Sequence, residues 1–261
     1  MTRLIRVELL KLRTTRLTLG LFATAVGLSV LFSIIEASRA GTKSVAPLST
    51  AAGLNSVITG GVLALLFAAV LGVTISSGEF QHQTATTTYL AMPRRSRVLA
   101  AKSVAAAGGG AVFGFAGWLI ATGVGLGFVA ADGYTAQISD ATLARYALGH
   151  IVAGALLAAI GVGIGSLIRS QLAGIIGVFV WAVLIESIIG GLFNSVQPYL
   201  PYTAATTLAG SVLGGAAFGP AHGASSSASA LPFAAATALL AAVAVVISAI
   251  AARTTVVRDI S

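Results

Sequence analysis

Residues 78–102 read GEFQHQTATTTYLAMPRRSRVLAAK, and their place in the chain decides how it is built. Before them runs 57–76, VITGGVLALLFAAVLGVTIS; after them runs 104–130, VAAAGGGAVFGFAGWLIATGVGLGFVA. Each apolar run suffices to cross a bilayer as a helix. The polar stretch between them holds one acid near its start, Glu79, and Arg94, Arg95, Arg97 and Lys102 at its end. A chain that merely spans would join two helices with a short turn. A polar insert of this length suggests that something docks on it; the alternative is a solvated loop whose arginines only orient the chain.

Composition agrees with a lipid solvent. The 261 residues are 57% hydrophobic and only 8% charged, with mean hydropathy +0.98, whereas soluble domains carry about 25% charged residues. Six runs reach spanning length: about 17–35, 57–76, 104–130, 146–168, 172–193 and 231–252. Lipid offers the backbone no hydrogen-bond partners, and the alternating pattern of a barrel is absent, so the runs must be helices. The expectation is an all-α membrane protein, one six-helix domain over residues 1–261.

The net charge of +8 could suggest nucleic acid, but its distribution argues against that. With a cytoplasmic N-terminus, Arg3, Arg6, Lys11, Arg13, Arg16, Arg94, Arg95, Arg97, Lys102, Arg169, Arg253 and Arg258 lie inside. Only Arg39, Lys43 and Arg145 lie outside. This alternation is the positive-inside pattern, and it places both termini in the cytoplasm. Lysine is scarce beside abundant Ala and Gly, which suggests a GC-rich bacterial genome, hence a bacterial inner-membrane protein.

The N-terminal run 17–35 exceeds the 7–15 residues of a signal-peptide core, so an uncleaved first span is favoured over a leader cut near Ser38-Arg39-Ala40. Ahead of it, Ile5, Leu9 and Leu12 recur at helical spacing while Arg3, Arg6 and Lys11 point elsewhere. That fits a helix in the headgroup region, or simply a basic topological flank. The first outer loop, 36–56, reads as irregular, and the second is 131–145. The last outer segment, 194–230, lacks charged side chains and is broken by Pro198 and Pro201. Proline opens the helical ladder, so a short re-entrant or interfacial hairpin is expected there, then a flexible linker. Gly110/Gly114, Gly123/Gly127 and Gly161/Gly165 carry the small-residue spacing that lets helices approach closely.

Chemistry-bearing residues are few. Glu186 falls inside the fifth span, where a charge costs about 2.5–3.5 kcal/mol on insertion scales. It either lines a translocation path or makes a structural hydrogen bond to a neighbouring helix or to the outer hairpin backbone. His82, His150 and His222 lie apart, with no HExxH and no clustered carboxylates. There is no cysteine, and Ser225–Ser227 lack a nucleophile-elbow context. No phosphate-binding G-x-x-x-x-G-K-[ST] loop occurs. No catalytic, cofactor or metal site is expected.

The stretch LGVTISSGEFQHQTATTTYLAMPRRSRVLAAK resembles the permease subunits of type-2 bacterial ABC exporters. The matching positions are Gly78, Glu79, Phe80, Thr84, Tyr89, Leu90, Pro93, Arg94, Arg95, Arg97, Ala101 and Lys102. Glu186 with the later Leu200-Pro201, and Glu8, Lys11 and Arg13 before the first span, fit the same pattern. The resemblance implies an N-terminal interfacial helix, six spans, an external re-entrant pair and a cytoplasmic coupling helix between spans two and three. That helix would meet an ATPase through Glu79, Phe80, His82, Thr84, Tyr89, Arg94, Arg95 and Arg97. Two separate ATPase subunits would hold ATP and Mg, and a second permease copy or paralogue would complete a dimer in the lipid bilayer.

Export of an amphipathic drug, lipid or peptide is the leading expectation. A sensing or immunity complex of the same family, as in antimicrobial resistance, is one alternative. A stand-alone secondary transporter using Glu186 is another, although the paired broken helices of such folds and any internal repeat are not evident.

Overall fold

The computed structural model describes residues 2–42, 45–81, 95–168, 170–211 and 231–254. Among them the chain is helical throughout. Helix α1 (Thr2–Thr14) breaks at Thr15, whose extended backbone turns the chain into α2 (Arg16–Arg39). Next come α3 (Ala51–Ile58), a 3₁₀ turn (Thr59–Val62), α4 (Leu63–Gln81), α5 (Arg95–Ala131) and α6 (Asp140–Ile168). Then α7 (Gln171–Phe179), a π turn (Val180–Ile185) and α8 (Glu186–Leu192) form one continuous rod. A 3₁₀ turn (Gln197–Tyr199), α9 (Pro201–Leu208) and α10 (Phe233–Thr254) complete the order.

Side chains set several starts. Thr50 accepts a hydrogen bond from the Gly53 N–H at α3, Ser139 from Thr142 at α6, and Ser170 from Ala173 at α7. Each satisfies a donor that a helix N-terminus otherwise leaves orphaned. Asp140 adds a carboxylate to the positive end of α6.

Six helical stretches are long and apolar enough to cross a membrane: Arg16–Arg39, Ala51–Gly78, Arg97–Ala131, Asp140–Ile168, Gln171–Leu192 and Phe233–Thr254. That is the pattern of a multi-pass membrane protein. In the Ala51–Gly78 span 83% of the apolar window is buried, against 17% in the first and last spans, so α4 is the central post. Around it α6, α9 and α10 build one apolar cluster, while α1, α2 and α5 build a second with its opposite side.

Close contact depends on glycine. A Cβ on Gly72 would collide with the Ala158 carbonyl of α6, one on Gly161 with the Ala69 carbonyl of α4, and Gly110 of α5 lies against Gly154 of α6. Tight approach of this kind supplies the van der Waals packing that replaces the hydrophobic effect in lipid. Gly123 and Gly127 face open space instead, so that pair does not serve packing within the bundle.

The helices run further than the apolar runs suggested. The first outer loop is not irregular from 36 to 56: α2 continues to Arg39 and the chain is helical again from Ala51. At 37 residues, α5 is roughly 55 Å long against about 30 Å of hydrocarbon. Arg95, Arg97 and Lys102 therefore ride on the helix, not in a loop. Glu79 and Phe80 belong to the last turn of α4. Glu79, expected on the coupling helix between spans two and three, instead continues α4: the Ser76-Ser77-Gly78 stretch lacks a breaker strong enough to stop the ladder. Only 82–94 separates the two helices.

Candidate functional site

Two polar constructions stand out in this apolar bundle. The first lies at its basic end, where α1 meets the end of α4 and the start of α5. Glu8 is buried, and its carboxylate accepts from the Lys11 ammonium at 3.0 Å and from Lys102 at 3.4 Å on both oxygens. Lys102 is also buried and donates to the Ile75 carbonyl on α4 at 3.4 Å. One ion pair thus clasps three helices. Beside it Ser76 bonds Ser166 of α6 at 2.6 Å, and Ser77 turns its hydroxyl onto the Val73 carbonyl at 2.7 Å.

Desolvating a lysine and a glutamate costs several kcal/mol per ion unless the pair and its further hydrogen bonds compensate. Here each ion has more than one partner, so the pair specifies a single rotation of α1. That rotation divides the Ile5–Leu9–Leu12 stripe. Glu8 and Leu12 face the bundle, Leu12 joining the cluster with Phe67 and Leu71, while Leu9 remains 40% exposed. A periodicity of apolar residues could not show this, because the buried face includes a charge. The available signal was a lone acid in a basic helix and a lone lysine among alanines.

The clasp grips both helices that bracket 82–94. Of the residues expected to contact an ATPase, Glu79, Phe80 and Arg95 fall on the ends of those helices, and Arg97 stands exposed on α5. His82, Thr84, Tyr89 and Arg94, like the body of the expected coupling helix, lie outside the described residues.

The second construction is at the other end of the bundle and centres on Glu186, 1% exposed. The π turn before it shifts the register: the Glu186 N–H donates to the Trp181 carbonyl, five residues back. On an α-helix residues five apart point about 140° apart; the wider π turn brings them to one side. The Trp181 indole N–H then donates to Glu186 Oε1 at 2.9 Å.

The same carboxylate caps α9. The Tyr202 N–H donates to Oε1 at 2.8 Å, and the Thr203 N–H and hydroxyl donate to Oε2 at 2.8 and 3.0 Å. Pro201 occupies the first helical position, where its missing N–H leaves nothing unsatisfied, and Pro198 sits in the preceding 3₁₀ turn. Glu186 thus supplies from a neighbouring helix the anion that a helix N-terminus favours. Both oxygens are engaged by protein donors.

Helix α9 is itself buried, with Tyr202, Ala204, Ala205 and Leu208 in the core beside α6 and α10. The Asn55 amide donates to the Gly210 carbonyl at 3.2 Å and ties this segment to α3. Trp181, Tyr202 and Thr203 escaped notice in the sequence; the usable signal was a lone acid in an apolar span followed by Pro-Tyr-Thr. Residues 212–230 and His222 lie outside the described residues. His150 is buried on α6, its Nδ1 2.9 Å from the Tyr146 carbonyl. No group of three potential metal ligands occurs among the described residues.

No protein-family model matches the chain, and no curated protein sequence matches it.

Proposed function

We propose that the chain is the membrane-spanning permease subunit of an ATP-driven exporter of the type-2 ABC class. It would move an amphipathic drug, lipid or peptide, with ATP hydrolysed on separate partner subunits. The observation that carries this is the basic-end clasp. Glu8, Lys102 and the Ile75 carbonyl bind α1, α4 and α5 into one unit at both roots of the 82–94 segment. A partner pressing on that segment would move a rigid three-helix base and not a slack loop.

In this proposal both termini and 78–102 are cytoplasmic, and the segment holding Pro198 and Pro201 forms the external hairpin, with Glu186 fixing its second helix. A second copy or a paralogue completes the transport path.

The proposal is tested by tagging the chain in its native host and identifying what copurifies. An ABC ATPase is expected, and Phe80→Ala with Tyr89→Ala should reduce its recovery while leaving expression and membrane insertion near normal. Recovery of the intact chain without any ATPase, under conditions that preserve known complexes of this class, would refute it.

A further inference from the structure

We propose that the outward face of α1 is a binding surface for the headgroups of anionic phospholipids, oriented for that task by the Glu8–Lys102 pair. This inference is independent of any ATPase partner.

The clasp sets the rotation. With Glu8 and Leu12 turned to the bundle, an α-helix advancing about 100° per residue carries Arg6, Leu10 and Arg13 to the far side. Arg6 and Arg13 are exposed there, and Leu10 between them is 62% exposed. Val7 on the flank is 52% exposed. Apolar side chains alternating with guanidinium groups fit neither water nor hydrocarbon; they fit the boundary between acyl chains and phosphates.

Place and charge name the occupant. One residue, Thr15, separates α1 from the first spanning helix, so α1 lies at the level of the bilayer surface. The helix holds four basic residues against one acid. That acid is turned inward onto Lys102, which leaves the outward face without a negative group of its own. Each arginine can take a phosphate oxygen pair in a planar fork, while Leu10 dips toward the acyl chains. An acidic protein would match the charge but would leave Leu10 and Val7 without a fitting environment.

The test uses the full chain in lipid nanodiscs of phosphatidylcholine containing a minority of phosphatidylglycerol. Because the chain has no cysteine, Leu10→Cys carries a single bimane. Its quenching is then compared for spin-labelled phosphatidylglycerol and spin-labelled phosphatidylcholine.

The phosphatidylglycerol probe is expected to quench at lower mole fraction. The preference should fall about fivefold for each arginine removed, from the usual worth of a basic side chain at an anionic surface. Arg6→Gln with Arg13→Gln should lower the preference roughly twenty-fivefold, whereas Arg6→Lys with Arg13→Lys should keep most of it. Arg97→Gln, on another helix, should leave it unchanged, and each variant is compared only where its size-exclusion profile is that of the parent. Equal quenching by both lipids in the parent, or a preference that the double glutamine change leaves undiminished, overturns the proposal.

Discussion

Replacing Glu186 by Leu tests whether this acid is a helix cap. The substitution makes the side chain apolar within an apolar span, so insertion into lipid becomes easier by the roughly 2.5–3.5 kcal/mol that a central charge costs. The folded state loses far more specific contacts. The Tyr202 and Thr203 N–H groups, both buried, would lose their acceptors. At about 1–3 kcal/mol per orphaned buried donor, the two amides together cost roughly 4 kcal/mol. The Thr203 hydroxyl can rotate to another acceptor, and Trp181, 43% exposed, can turn its indole N–H toward headgroups or water, so neither adds much. Glu186→Gln keeps one carbonyl oxygen but turns an NH₂ toward one of the two amides, for a loss of about 1–3 kcal/mol. Against a total stability on the order of 5–15 kcal/mol, Leu should lower folded yield sharply and Gln moderately. Thermal unfolding of the purified variants in one detergent, followed by far-UV circular dichroism, gives the order parent, Gln, Leu. A Glu186→Leu variant that melts with the parent would show that α9 does not depend on this carboxylate, and the capping role would be wrong.

Three further outcomes follow from the same structure. Lys102→Met leaves Glu8 buried with Lys11 alone and should destabilise by about 3 kcal/mol, whereas adding Glu8→Gln should recover part of it; equal losses in single and double variants would show that the pair is not coupled. Gly72→Val places a branched side chain on the Ala158 carbonyl and should abolish a monodisperse size-exclusion peak, while Gly123→Val, facing open space, should behave as the parent. Thr87→Cys should resist an impermeant maleimide in intact cells and react after lysis, and labelling in intact cells would invert the proposed topology.

The spans were legible because lipid imposes a strict demand: every backbone group must be satisfied within its own helix, so an apolar run of sufficient length admits little else. Helix ends were less legible, since polar residues continue a helix beyond the hydrocarbon without penalty. Arg95 to Lys102 was therefore mistaken for loop when it is the first two turns of α5. Spacing of small residues showed which faces allow close approach but not which are used. Gly110 and Gly161 meet neighbouring helices, whereas Gly123, in the same kind of motif, does not. The difference lies in the rotation of α5 against α6, which no local pattern encodes.

The buried charges share one physical logic that neither hydropathy nor motif matching captures. Glu186 and the Glu8–Lys102 pair each stand where a helix must be held by something other than apolar burial. Helix α9 has eight residues, too few to be stable alone, and begins at a proline; its buried first-turn amides need an acceptor that apolar surroundings cannot supply. Helix α1 buries little apolar surface beyond Leu12, with Val7, Leu9 and Leu10 exposed, so greasy contact alone would not fix its rotation. A carboxylate solves both problems because it is directional and because leaving it unpaired is so costly. At Glu186 and at Glu8, then, a carboxylate among apolar neighbours marks a junction between helices, and the search for its partner begins with a helix end or a lysine on the neighbouring helix.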